Sequence, residues 1–294
     1  MVMGTRIFLF LATNFVIVAT LLVLSNLLGI GDYIGPAGLD LRALALFSLV
    51  WGMGGALISL QMSRWIAKRS LGVKLVDGQS GNRDLDWLHA TVVRLARKAD
   101  LQVPEVGIYE SGEVNAFATG PSKRRSLVAV STGLLGSMQA DEIEGVLAHE
   151  LAHIANGDMV TMTLLQGIVN AFVIFLAKVI AFAIRQAMDS RSSYMVSFVV
   201  EMVLYVIFMM LGSLVTSWFS RHREFRADRG GATLAGRERM LGALKRLAGS
   251  TERVDSRNEA LASLKISGRR GWMALFSTHP PLATRIAALE RASL

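Results

Sequence analysis

The chain has 294 residues, with 31 Lys and Arg against 23 Asp and Glu and a formal net charge of +8. Hydrophobic residues make up 52% and charged residues 18%, with a mean hydropathy of +0.43; this excludes a disordered, collagen-like or coiled-coil chain and argues for a membrane class. There is no Cys, hence no disulfide framework, thiolate metal site or thiol nucleophile, and any metal needs His and carboxylate ligands.

Four apolar runs are long enough to cross a bilayer, at about residues 7–28, 43–62, 162–184 and 196–219. Arg6 precedes the first run, as in a signal peptide. The run exceeds a signal h-region of about 7–15 residues, however, and no A-x-A-like site follows, so it reads as a retained helix. Gly52, Gly54 and Gly55 in the second run allow close helix packing in lipid. Lys178 and Glu201 fall at similar depths in the third and fourth runs, and an ion pair between them would pin that hairpin; snorkelling to the interface is the alternative. Arg64, Lys68, Arg69 and Lys74 follow the second run, and Arg221, Arg223, Arg226 and Arg229 follow the fourth. The short loops on the other side carry only Arg42, Arg185 and Arg191. This bias puts both long polar segments, and the termini, on the cytoplasmic side, and it explains the net positive charge without nucleic acid. The predicted organisation is a transmembrane hairpin over 1–62, a first cytoplasmic segment over 63–160, a second hairpin over 161–219 and a second cytoplasmic segment over 220–294.

In the first cytoplasmic segment, Leu85, Leu88, Val92, Leu95 and Ala96 line one face of a predicted helix over Leu85–Ala99. Strands are predicted at Glu105–Tyr109, Val114–Thr119 and Leu127–Ser131, the last two joined by the turn Gly120 to Arg125. That basic turn reads as a solvated loop, with anionic headgroups as the alternative contact. Gln139–Asn156 reads as a strong helix, with Asp141 and Glu142 in its first turn and Asn156-Gly157 as its stop. Residues 249–271 are polar and Gly/Ser-rich and read as a loop, and a terminal helix begins near Leu282.

The chemistry centres on His149-Glu150-Leu151-Ala152-His153. Residues four apart share a helix face about 6 Å apart along the axis, so both imidazoles converge on one Zn²⁺. Glu150, beside the first ligand, reaches a water rather than the metal. With five His in the chain, this pattern arises by chance roughly 0.003 times. A catalytic zinc needs a third protein ligand. Glu224 and Asp228, four apart just after the fourth run, are the best candidates, one as ligand and one as acceptor for the far ring nitrogen of a ligand His; on spacing alone a solvated charged turn stays open.

The zinc motif, Glu224-x-x-x-Asp228, Asn115-Ala116-Phe117 and Ser277-Thr278-His279-Pro280-Pro281 together resemble the M48 family of membrane zinc proteases, and the four apolar runs are similar to those of its bacterial heat-shock members. The resemblance spans nearly the whole chain. It implies an α+β, gluzincin-type domain, a zinc helix with a small antiparallel sheet, fused to about four transmembrane helices. It also implies one Zn²⁺ on His149, His153 and Glu224, with Asp228 behind them and Glu150 as the proton carrier. His279 would be the oxyanion donor, since the resemblance places its segment beside the site. The implied role is quality control in a bacterial inner membrane, acting on misfolded membrane proteins and unfolded polypeptides. Substrate would add as a strand along Val114–Thr119, pairing with backbone groups of Asn115 and Ala116, while Phe117 packs in the core. Two other classes compete with the enzyme reading: a membrane zinc-binding or transport protein, with Lys178 and Glu201 lining a path, and an inactive protease-fold scaffold.

Overall fold

The described chain packs into two compact units, one built from Gln61–Val160 and Ser217–Leu294, the other from residues 12–60 and Thr161–Thr216. The computed structural model describes residues 12, 15–17, 19–24, 26–27, 29, 33–35, 38–187, 193–256 and 277–293.

In the apolar unit, α1 is Phe15–Leu24, and a two-residue ribbon follows, β1 (Ile34–Gly35) with β2 (Gly38–Leu39). The helix α2 spans Leu41–Ser70, α6 spans Asp158–Gln186 and α7 spans Ser193–Ala235. Among the described residues, three helices are long and apolar enough to cross a membrane, Leu41–Ser70, Asp158–Gln186 and Met195–Ala235. The first predicted crossing lies partly outside the described residues. At Gly52 a Cβ would sit 2.4 Å from the Ala171 backbone nitrogen, so glycine there is what lets α2 and α6 touch. Lys178 Nζ lies 2.9 Å from Glu201 Oε1 and 5.3 Å from the centre of the Tyr33 ring, which makes the predicted ion pair real.

The polar unit holds a four-stranded sheet in the order β3-β4-β6-β5. The strands are β3 (Lys74–Val76), β4 (Glu105–Tyr109), β5 (Ala116–Ser122) and β6 (Arg125–Ser131). Both outer pairings are antiparallel, as the hairpin signal predicts for β5 and β6, but the central β4–β6 pair is parallel. The sheet is therefore mixed rather than antiparallel, because β6 inserts parallel to β4 while β5 folds back on it; strand β3, which the sequence pattern did not disclose, adds an antiparallel edge on β4.

Helix α3 (Arg83–Lys98) is capped by the Asn82 side chain and presents Leu88, Val92 and Leu95 to the sheet. There they meet Val128 and Val130 of β6 and Leu147, Leu151 and Ile154 of α5 (Ala140–Asn156). Between sheet and α5 lies the short α4 (Thr132–Ser137). Helix α8 (Arg237–Ser256) packs on α5, and α9 (Leu282–Arg291) packs on α8 through Leu289 and Leu244. The buried Glu144 of α5 pairs with Arg94 of α3 at 2.8 Å and with Arg239 of α8 at 3.3 Å, so a single carboxylate ties three helices. Because α8 runs to Ser256, residues 249–256 of the predicted loop are helical; the rest of that loop lies outside the described residues.

Candidate active site

The site is built on α5. Glu142 accepts a hydrogen bond from the Gln139 backbone N–H at 2.8 Å and opens the helix. Gly157, left-handed at φ 72°, ends it, and α6 starts at the next residue. Lys123, from the basic turn between β5 and β6, donates to the Ala155 carbonyl at this helix end.

His149 and His153 are both buried on α5, and their Nε2 atoms lie 3.1 Å apart. Helix α7 brings Glu224 to them, with carboxylate oxygens 3.3 Å from His153 Nε2 and 3.6 Å from His149 Nε2. The two helices approach closely here: a Cβ at Gly231 would sit 3.1 Å from the His149 backbone nitrogen, tighter than an ordinary contact. One ligand atom from each of His149, His153 and Glu224 lies within 4.8 Å of the others.

The donor set fits a metal. On their outer side, His149 Nδ1 lies 3.0 Å from Asp228 Oδ1 and His153 Nδ1 lies 2.7 Å from Asp158 Oδ2. Each Nδ1 therefore carries the hydrogen, and each Nε2 turns a lone pair inward. Two inward lone pairs and a carboxylate at 1% exposure repel one another unless a cation lies between them. Neither oxygen of Glu224 makes a geometrically sound hydrogen bond among the described residues, although ion-pair partners lie close. Two nitrogens and one carboxylate, with a fourth position free, is the donor set of a catalytic zinc site. Burial by itself would lower the pKa of both histidines; hydrogen bonds to Asp228 and Glu224 overcome this and raise that of His149, while Asp158 and Glu224 raise that of His153 to about 9.

Two residues were missed by sequence reasoning. Asp158 is fully buried behind His153, with its other oxygen 2.5 Å from Arg226 Nη2. Arg285 of α9 sits between Glu224 and Asp228 of α7. It is bidentate to Asp228 at 2.8 and 2.6 Å and reaches Glu224 at 3.1 Å.

Glu150, His149, Glu224, His279 and Arg285 line one cleft of about 150 Å³. His279 Nδ1 lies 3.0 Å from Glu224 Oε2, and its segment is anchored by Arg221 donating to the Ser277 carbonyl at 2.8 Å. One wall of the cleft is apolar, formed by Leu134, Val146, Met240, Ala243, Leu244 and Leu247. His222 turns away, stacking on Trp218.

Among the described residues, strand β5 is an unpaired outer edge of the sheet beside this cleft, which Asn115 and Ala116 border. The backbone of Asn115 is already engaged: its N–H donates to Ser131 Oγ at 3.1 Å, and its carbonyl accepts from Ser131 N–H at 2.9 Å. This differs from the expected pairing of Asn115 with substrate. By the alternation of an antiparallel ladder, the backbone groups of Ala116 and Ala118 face the open edge instead. Phe117 packs on Tyr109, with ring centres 5.6 Å apart.

Residues 82–293 match Peptidase family M48. A protein called Protease HtpX homolog from Bacillus pumilus is 53% identical over 299 residues, covering 98% of this chain and 99% of its own length. Another of that name, from Methylacidiphilum infernorum, is 47% identical over 98% of this chain and 99% of its own. The crystal structure of S. mikatae Ste24p has the same fold, with a TM-score of 0.62 at 19% identity; the match covers 98% of this chain but 64% of that longer one. With the family matched across most of the chain, three histidine and carboxylate groups placed for a metal and three apolar helices long enough to span a bilayer, this chain belongs to peptidase family M48 and is a membrane metalloprotease.

Proposed function

We propose that the chain is a zinc endopeptidase that hydrolyses misfolded membrane proteins and unfolded segments at the cytoplasmic face of a bacterial inner membrane. The observation that carries this reading is the convergence of His149, His153 and Glu224 in a cleft that Glu150 also lines. The Lys and Arg bias next to the apolar runs supports the orientation, and bacterial relatives with protease names support the setting.

His149, His153 and Glu224 would hold the zinc, which when bound supplies a Lewis acid that polarises the scissile carbonyl and acidifies water. Glu150 takes the proton of the attacking water and passes it to the leaving amine. His279, at the rim of the same cleft, donates to the oxyanion that develops on the carbonyl. Asp228 keeps the His149 hydrogen on Nδ1, so that Nε2 remains a ligand.

Substrate lies against the edge of β5 as an added strand. Ala116 and Ala118 offer backbone partners that are blind to sequence, which suits unfolded chains of many sequences. The apolar wall then sets a preference for apolar side chains next to the cleaved bond.

The test pairs zinc content with cleavage of an unfolded protein in detergent-purified wild type and Glu150→Gln. About one zinc in each, with cleavage slowed at least 10²-fold in the variant, is the expected outcome. Equal cleavage by both would remove Glu150 from the reaction.

A further inference from the structure

We propose that Asp158 and Arg226 form a second positioning chain behind the metal ligands, in which Asp158 holds the His153 imidazole and Arg226 holds Asp158. The inference rests on the reading of His149, His153 and Glu224 as zinc ligands, and deepens it.

An Asp in the first turn of a helix is ordinarily explained by the helix dipole, which favours an acidic group there. That account suits an exposed carboxylate. Asp158 has no solvent exposure, and each of its oxygens has a cationic or hydrogen-donating partner: His153 Nδ1 at 2.7 Å and Arg226 Nη2 at 2.5 Å. A buried carboxylate so placed does two things for a metal ligand. It accepts the Nδ1 hydrogen, which fixes tautomer and ring orientation, and it makes Nε2 a stronger donor to the metal.

The same arrangement recurs on the other ligand, where His149 is backed by Asp228 and Asp228 by Arg285. Each zinc histidine therefore has its own carboxylate, and each carboxylate its own arginine. The two chains differ in exposure: the Arg285 side chain is 8% exposed and that of Arg226 is 55%. Arg226 lies on α7 between Glu224 and Asp228, so the second chain links the α5 ligand to the helix that carries the third ligand.

Asparagine cannot replace Asp158 in both contacts. Its amide oxygen satisfies either His153 or Arg226, and its NH₂ then faces the other donor. This makes Asp158→Asn a test at nearly constant shape. The measurement is the zinc dissociation constant of the full chain in detergent, read by competition with a chromophoric chelator, together with the absorption spectrum of the Co²⁺-loaded protein.

Asp158→Asn and Asp158→Ala are expected to weaken zinc binding about 10- to 100-fold and to shift the Co²⁺ bands at saturating metal. Arg226→Gln, losing a half-exposed partner, is expected to weaken it less than tenfold. Should the alanine variant fail to fold, the asparagine variant carries the test. Zinc affinity within twofold of wild type and an unchanged Co²⁺ spectrum in Asp158→Asn would overturn the positioning role. A wild type that binds no zinc, or a Glu224→Ala variant that binds it as tightly as wild type, would instead overturn the zinc reading.

Discussion

Arg285 and Asp228, 57 residues apart in sequence, form a two-point ion pair of 2.8 and 2.6 Å from which nearly all solvent is excluded. The same guanidinium reaches Glu224 at 3.1 Å, so helix α9 places a fixed positive charge between Glu224 and Asp228 of α7. Removing it leaves buried carboxylates short of a partner. Arg285→Leu is expected to destabilise the metal-free protein by about 3–5 kcal/mol, the usual cost of breaking a buried pair from one side. Arg285→Lys keeps the charge and loses the fork, so it should fall between. Denaturant unfolding in micelles reads both, and a leucine variant as stable as wild type would show that the pair contributes nothing.

Zinc binding should strengthen as pH rises. The folded-state pKa of His153 is raised from the ordinary 6.5 to about 9, and that of His149 is raised as well. At neutral pH the metal therefore displaces a proton, and between about pH 6.5 and 9 the apparent affinity should increase about tenfold per pH unit for each proton released. The stability of the metal-free protein runs the other way. The contribution of charged His153 is fully present below about pH 6.5 and is lost as pH rises through about 9. Chelator competition at several pH values checks the first trend, and a flat affinity over this range would contradict it.

Lys178 and Glu201 should behave as a coupled pair. Lys178→Glu and Glu201→Lys each leave two like charges in the apolar unit, and each should lower the thermal stability of the solubilised protein. The double exchange restores opposite charges and should recover most of the loss. A double variant as unstable as the worse single one would mean that the pair does not hold the hairpin.

The apolar wall of the cleft should govern cleavage preference. Leu247 is a half-buried member of that wall, and Leu247→Glu introduces a carboxylate where every neighbour on α8 in the cleft is apolar. Mass spectrometry of fragments from an unfolded protein is expected to show apolar residues next to the cuts made by wild type, and a rise in Lys and Arg at that position for the variant. An unchanged distribution would place the substrate side chain elsewhere.

Much of this was legible in the sequence because the interactions concerned are local. His149, Glu150 and His153 are spaced by one helical turn, so their common face follows from the helix period alone. The same holds for the buried face of α3, for the hairpin of β5 and β6, and for Glu224 and Asp228 as a pair on one helix. The apolar runs declared themselves through length and the absence of charge, and the depth of Lys178 and Glu201 followed from counting.

What tertiary structure alone decided is which distant groups complete these local patterns. Asp158 is five residues past His153, a spacing that points off the ligand face of a continuous helix. The left-handed Gly157 breaks the helix there and turns the carboxylate back onto the imidazole. Arg285 is 136 residues from His149, and nothing in its own turn of helix marks it out from a solvated arginine. The parallel pairing of β4 with β6 and the backbone partners taken up by Asn115 likewise depend on contacts across the sheet. Periodicity specifies which face of an element is buried; what that face meets is set by packing the whole chain, because charges buried at the site are stable only where another element brings their partners.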